Sequence, residues 1–211
     1  MLPNYKDLQN NTSRYKLLLA LKHQEITEFV ATYFYSKTRI AGLYRMFLLS
    51  SAILFLLWAS FIVFSNPTIW SICLIGFIAG ILSFLLLVVP HELIHGLMYK
   101  YYGAPRVKYG VIWSKLAFYA IAPEFTISRK EFIPLAIAPF ILINSLLIIF
   151  IVLSFSNPFW HFYLFGLYLT HSLGCIGDFA MIGFFELHRN SSVYTFDSEK
   201  EAISYFYKES E

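Results

Sequence analysis

The sequence predicts an all-α membrane protein with four transmembrane helices, arranged as two helical hairpins. Three observations lead to this prediction. The 211 residues are 58% apolar and only 14% charged, with a mean hydropathy of +0.60, which lies far outside the usual range of soluble domains. Two long stretches, 46–91 and 132–177, contain no Asp, Glu, Lys or Arg. Each stretch is interrupted near its middle by Phe-Ser-Asn-Pro, a turn signal.

The two Asn-Pro turns divide the neutral stretches into four spans, 46–64, 69–100, 133–155 and 159–186. About 20 apolar residues cross the hydrocarbon core, and the backbone there has to be helical because no water satisfies its polar groups. Each span reaches that length. The same composition argues against a nucleic-acid-binding protein, a disordered chain and a disulfide scaffold.

The Lys and Arg residues predict how the spans are oriented. Seven lie before the first span, six from Lys100 at the end of the second span to the start of the third span, three after the fourth span and none in the two Asn-Pro turns. Cytoplasmic loops of membrane proteins are enriched in Lys and Arg. We therefore expect a multi-pass protein of the cell membrane whose N-terminus, C-terminus and central loop are cytoplasmic.

The flanking segments complete the predicted organisation. Residues 1–45 form a cytoplasmic or interfacial segment, with a helix lying partly on the membrane surface. Residues 46–188 form the four-helix membrane domain, and 189–211 an acidic cytoplasmic tail that is helical from Ser198. The loop segment 106–128 is rich in β-branched and aromatic residues with partial alternation, which predicts a short β-hairpin between the second and third helices.

Ionisable residues cluster at the end of the second span, in the sequence His91-Glu92-Leu-Ile-His95. Residues four apart share one face of a helix, so both histidines can bind one Zn²⁺ while Glu92 acts on the water beside the metal. In the alternative interpretation, two histidines and a glutamate near a helix end contact only lipid headgroups. Three ionisable groups within five residues of an uncharged span are costly without a function, which favours the metal site.

A catalytic zinc needs a third protein ligand, and the fourth span offers two carboxylates. With straight helices, Asp178 and Glu186 both reach the depth of His91, whereas His171 does not. Asp178 is favoured over Glu186 because it lies two turns inside the span. His171 shares a face with Cys175 and Asp178, and we expect it to be a second-shell partner or an alternative ligand.

These residues resemble a known family. The motif His-Glu-x-x-His at the cytoplasmic end of a second span, a strand-forming loop, a Pro-containing third span and a Gly-Asp in a fourth are similar to the bacterial family of membrane zincin peptidases, and more distantly to the site-2 intramembrane metalloproteases. The resemblance covers about 90–188. It implies that His91, His95 and Asp178 are zinc ligands and that Glu92 is the general base. The Asp of the site-2 enzymes is followed by Gly, whereas Phe179 follows Asp178 here.

The function predicted from the motif and the resemblance is that of a zinc-dependent, membrane-embedded peptidase that hydrolyses peptide bonds at the cytoplasmic membrane face. Its partners would be a protein or peptide substrate and the lipid bilayer, with no nucleic acid. The loop strands would either hold the substrate extended or only seal the helix ends. Asn144, in the third span, would orient the substrate or a neighbouring helix.

Two other classes of protein remain open. The first is a non-catalytic zinc-binding membrane protein or interaction partner, against which Glu92 argues because a structural zinc site does not need that carboxylate. The second is a different metal enzyme of the membrane, and a transporter is a still less favoured possibility. A di-iron lipid desaturase needs about eight clustered histidines, whereas this chain has six. A transporter needs a continuous polar path, which a single ionisable cluster does not provide.

Overall fold

The computed structural model describes residues 2–115 and 117–210. The described residues form two compact units. The first, which we call the sheet unit, lies within 1–41, 92–138 and 177–211. The second, the helical unit, comprises 42–91 and 139–176.

The helices are α1 (Tyr5–Asn10), α2 (Ile26–Phe34), α3 (Arg39–Ser65), α4 (Trp70–Leu82), α5 (Leu85–Tyr101), α6 (Arg129–Leu153), α7 (Pro158–Gly174) and α8 (Ile176–Leu187). The strands are β1 (Tyr15–Lys22), β2 (Lys108–Ile112), β3 (Ala117–Ile121), β4 (Ile127–Ser128), β5 (Val193–Ser198) and β6 (Ile203–Glu209).

The prediction of an all-α protein with four transmembrane helices is wrong. The sheet unit contains a four-stranded antiparallel sheet in the order β1-β6-β5-β4. Strand β1 comes from the N-terminal segment, and β5 and β6 come from the acidic tail. Tyr15 of β1 lies opposite Glu209 of β6, so the pairing joins the two ends of the chain. The tail is therefore a β-hairpin, and the helix expected from Ser198 is not formed.

The tail forms strands because β-branched and aromatic residues dominate β5 and β6 and bury side chains on the sheet. Val193 and Phe206 belong to a core with Leu21 of β1, Phe29 of α2 and Phe185 of α8. Phe185 is fully buried, and Phe206 is 1% exposed. This aromatic core stabilises the sheet unit.

The β-hairpin predicted within 106–128 is present. Strands β2 and β3 pair antiparallel, with Lys108 opposite Ile121 and Ile112 opposite Ala117. Tyr109 of β2 packs directly on Gly96 of α5, where an added Cβ atom would overlap the tyrosine hydroxyl. The hairpin therefore lies beside α5, one residue beyond the predicted ligand His95.

Among the described residues, α3 and α6 are long and apolar enough to cross a membrane. The second predicted span is divided into α4 and α5, which make an angle of 43° and count as a third crossing only if taken together. Pro90 lies in the first turns of α5 and has no N–H to donate to Leu86, which disfavours a straight helix through this region. The fourth predicted span is also divided, into α7 and α8, at Cys175.

The helical unit is held by close packing of α4 against α7. Gly76 and Gly80 of α4 and Gly166 of α7 lie at this contact, and a Cβ atom on any of them would overlap a backbone carbonyl of the facing helix. Small residues of this kind let two apolar helices approach closely. Phe55, Cys73 and Phe162 form a buried apolar cluster in the same unit.

Candidate metal centre

Helix α5 carries the whole His-Glu-x-x-His motif, as the sequence predicts. It runs without a break from Leu85 to Tyr101, so His91 and His95 are one turn apart on the same face. Glu92 follows His91 directly and is half-buried. The helix thus presents two imidazoles and one carboxylate within five residues.

In the sheet unit, His95 is held in one orientation by a backbone carbonyl. Its Nδ1 atom lies 3.0 Å from the carbonyl oxygen of Leu135 in α6, and the side chain is buried. A carbonyl oxygen only accepts, so Nδ1 carries the proton and donates it to Leu135. The lone pair of the imidazole is therefore on Nε2.

The sequence explains why the Leu135 carbonyl is available. In an α-helix this carbonyl would accept the N–H of the residue four positions later, which is Pro139 and has none. The proline is fully buried within α6. The carbonyl of Leu135 is thus free of its normal helical partner and accepts the His95 proton.

The Nε2 atom of His95 points at Asp178. The distance from Nε2 to Oδ1 of Asp178 is 3.3 Å. Asp178 lies in the first turn of α8, and its side chain is only 19% exposed. An imidazole nitrogen and a carboxylate oxygen are both common zinc ligands, and a backbone carbonyl on the other ring nitrogen is the usual support of a zinc-bound histidine. The residues of the sheet unit therefore fit a zinc ion.

Glu186, the other candidate carboxylate, makes different contacts. Its carboxylate accepts hydrogen bonds from the backbone N–H groups of Arg39, at 3.2 Å, and of Ile40, at 2.8 Å. These groups belong to the first turn of α3, where helical N–H groups have no partner within the helix. Glu186 thus caps α3.

In the helical unit, His91 belongs to a second polar cluster. Its Nδ1 atom lies 3.2 Å from Nε2 of His171. The Sγ atom of Cys175 lies 4.0 Å from Nδ1 of His91 and 3.9 Å from Nε2 of His171. The other nitrogen of His171, Nδ1, lies 2.9 Å from Oδ1 of Asn144 in α6. We call His91, His171, Cys175 and Asn144 the histidine–thiol cluster.

The depth estimate from straight helices is wrong for His171, because it separated this residue from His91. Both spans that carry the two histidines are divided into shorter helices, so distances along a straight axis do not apply. The sequence pattern that places His171 and Cys175 on one face is preserved, since His171 lies in the last turn of α7 and Cys175 directly follows that helix, with its Sγ atom 3.9 Å from Nε2 of His171. Sequence reasoning missed the Leu135 carbonyl entirely, although Pro139 was a usable signal for it.

A family model described as "Putative zincin peptidase" matches residues 84–190, about half of the chain. The matched region extends from α5 to the residues just after α8. It includes every residue of the two clusters described above. The chain shows no significant similarity to a curated protein or to a solved structure.

Proposed function

The chain belongs to the zincin peptidase family, and we propose that it is a zinc-dependent peptidase of the cell membrane that hydrolyses peptide bonds at the cytoplasmic membrane face. The observation that carries this proposal is the distance of 3.3 Å between Nε2 of His95 and Oδ1 of Asp178. The other ring nitrogen of the same histidine, Nδ1, is held by the Leu135 carbonyl. This arrangement provides two zinc ligands of the correct chemistry on the motif helix and on α8.

The proposed zinc ligands are His91, His95 and Asp178, with the fourth position left for water and substrate. His91 precedes His95 by one helical turn and so shares its face. A contact in the helical unit also prepares His91. The Nδ1–H group of His171 donates to Asn144, so Nε2 of His171 accepts the Nδ1 proton of His91. The lone pair of His91 is then on Nε2, the nitrogen proposed to bind zinc.

Zinc in such a site acts as a Lewis acid toward water and toward the scissile carbonyl. The protein residues then handle the protons. Glu92, next to His91 on α5, accepts a proton from the attacking water and passes it to the leaving amine. The Nδ1–H group of His95 donates its hydrogen bond to the Leu135 carbonyl throughout, which holds the ring in place.

The proposed membrane location rests on the helices that expose apolar surface. On α3, Leu54, Leu57 and Phe61 are each more than 60% exposed, and α6 exposes Leu146, Phe150 and Leu153. Apolar surface of this extent is typical of contact with lipid or protein.

The Lys and Arg distribution then predicts that Asn66 and Asn157 lie outside and that both termini are cytoplasmic. Met1 and Glu211 themselves lie outside the described residues.

The proposed substrate is a protein or peptide segment held extended along the β2–β3 hairpin. In the part of the chain that the structure describes, β2 and β3 pair only with each other, so each has an edge available for another strand. An extended peptide can add to such an edge through main-chain hydrogen bonds. Because Tyr109 of β2 packs on Gly96, the hairpin lies beside the helix that carries His95.

The test of this function is Glu92→Gln in the full chain, purified in detergent. The variant keeps the size of the side chain but loses the basic group, so zinc should remain near one per chain. Cleavage of a labelled unfolded protein should fall by about 10²-fold or more, the usual scale for a lost general base. His95→Ala should lose cleavage together with the catalytic zinc.

The opposite pattern would overturn the proposal. If cleavage, or a cellular phenotype of the wild-type chain, survives Glu92→Gln but disappears in His91→Ala and His95→Ala, zinc is structural. The chain is then a non-catalytic zinc-binding membrane protein.

A further inference from the structure

We propose that the histidine–thiol cluster is a second cation site, selective for soft metal ions such as Cd²⁺ and Cu⁺. Its three ligand atoms are Nδ1 of His91, Nε2 of His171 and Sγ of Cys175, and they lie within 4.8 Å of one another. All three residues belong to the helical unit. The site is separate from the carboxylate of Asp178, although it shares His91 with the proposed catalytic zinc site.

The distances between the ligand atoms suit a metal ion. With the bond lengths of tetrahedral zinc, about 2.0–2.1 Å to nitrogen and about 2.3 Å to sulfur, two nitrogen ligands lie about 3.3 Å apart and a nitrogen and a sulfur about 3.5–3.6 Å apart. The corresponding distances are 3.2 Å between the two nitrogens, and 3.9 and 4.0 Å from the sulfur to each nitrogen. An ion therefore fits between the three atoms with shifts of a few tenths of an ångström.

Asn144 prepares His171 for this role. Its Oδ1 atom accepts the Nδ1 proton of His171 at 2.9 Å, so the lone pair of His171 is on Nε2 and faces the other two ligand atoms. A polar partner that fixes the tautomer of a ligand histidine is the usual arrangement around bound metals. The same His171 lone pair accepts the His91 proton when no soft ion is present.

The thiol decides which ions bind. Cys175 is completely buried, and a thiolate prefers Cu⁺, Cd²⁺ and Zn²⁺ over Mg²⁺, Ca²⁺ and Mn²⁺. Two imidazoles and one thiolate form a softer donor set than the imidazole and carboxylate of His95 and Asp178. Binding releases the Cys175 proton to solvent and moves the His91 proton from Nδ1 to Nε2.

This proton transfer makes the second site antagonistic to the first, an inference that rests on the proposed function. A neutral imidazole has one lone pair, so His91 cannot bind a soft ion through Nδ1 and catalytic zinc through Nε2 at once. Loading of the histidine–thiol cluster therefore removes one catalytic ligand. We expect micromolar soft metal ions to inhibit the peptidase, with Cys175 required for the inhibition.

The experiment is a titration of the full-length protein in detergent with Cd²⁺, followed by the ultraviolet absorption of the cadmium–thiolate bond. The wild-type protein should show this band with about one Cd²⁺ per chain, and Cys175→Ser should lose it. The matched control is Cys73→Ser, since Cys73 is the other buried cysteine of the helical unit. That variant should keep the band. His171→Gln should weaken Cd²⁺ binding by at least about tenfold.

The outcomes separate this inference from the proposed function. Asp178→Ala should lose catalytic zinc but keep the cadmium–thiolate band, because Asp178 does not contribute to the second site. A band that survives Cys175→Ser, or a wild-type protein without a band, would overturn the second site whatever Glu92→Gln does. Circular dichroism of each variant reports folding, and Cys175→Ala replaces the serine variant if the latter does not fold.

Discussion

The two histidines of the motif are held by different chemistry in the two units of the molecule. In the sheet unit, His95 donates to a backbone carbonyl and faces a carboxylate, so its surroundings are oxygen atoms. In the helical unit, His91 faces an imidazole and a thiol, so its surroundings are nitrogen and sulfur atoms. The two histidines are equivalent in the sequence motif, but His95 has the harder ligand environment and His91 the softer one.

The two units also differ in how they are stabilised. The sheet unit buries large aromatic side chains between strands that come from both ends of the chain. The helical unit relies on glycines that bring α4 and α7 together, and much of its apolar surface is exposed. The comparison indicates that burial of aromatic side chains stabilises the sheet unit, whereas close helix–helix contacts at glycines stabilise the helical unit.

The largest effect is expected when the carboxylate that faces His95 is removed. In a Cys175→Ser background, which removes the thiolate of the second site, Asp178→Ala should abolish most zinc binding, because only His91 and His95 then remain as protein ligands. Glu186→Ala should keep zinc near one per chain, since Glu186 caps α3 instead. Metal content of the purified variants checks this. Full zinc content in Asp178→Ala, together with zinc loss in Glu186→Ala, would show that Glu186 and not Asp178 is the third ligand.

A smaller effect is expected from the carbonyl that orients His95. Pro139→Ala supplies an N–H group that can bond to Leu135, so the carbonyl is drawn away from His95. Zinc affinity should fall by about 10- to 100-fold, the usual cost of losing such a support. Competition with a zinc chelator measures it.

The matched control is Pro134→Ala, in the same helix but at a position that restores a bond to Lys130. This variant should bind zinc like the wild type. Equal zinc affinity in the two proline variants and the wild type would show that the Leu135 carbonyl does not support the site.

The smallest effect concerns the packing of the helical unit. Gly80→Ala places a methyl group against the Tyr163 carbonyl. This should lower the free energy of unfolding of the unit by about 1–3 kcal/mol, the usual cost of overpacking a protein core. Gly42→Ala is the control, because nothing lies within 4 Å of its added Cβ and alanine is the better helix former. Thermal unfolding in detergent compares them. A Gly80→Ala variant as stable as Gly42→Ala would show that α4 and α7 do not pack closely.

Part of the fold could not be predicted because its signals lie too far apart. Strand β1 pairs with β6 at the opposite end of the chain, and neither strand shows a regular alternation by itself. The breaks in the second and fourth spans were also hidden, because apolar composition alone does not distinguish a straight helix from two shorter ones. The β2–β3 hairpin was predictable because its two strands are adjacent in the sequence.

Three features follow from the amino-acid sequence alone: the motif helix with its two histidines and glutamate, the apolar stretches, and the family to which the chain belongs. These features depend on neighbouring residues, which helical geometry places together without help from the rest of the chain. Three contacts depend instead on how the helices pack: Asp178 faces His95, Glu186 caps α3, and His171 contacts His91. Each of these contacts joins side chains from separate helices, whose approach depends on where the helices break and pack.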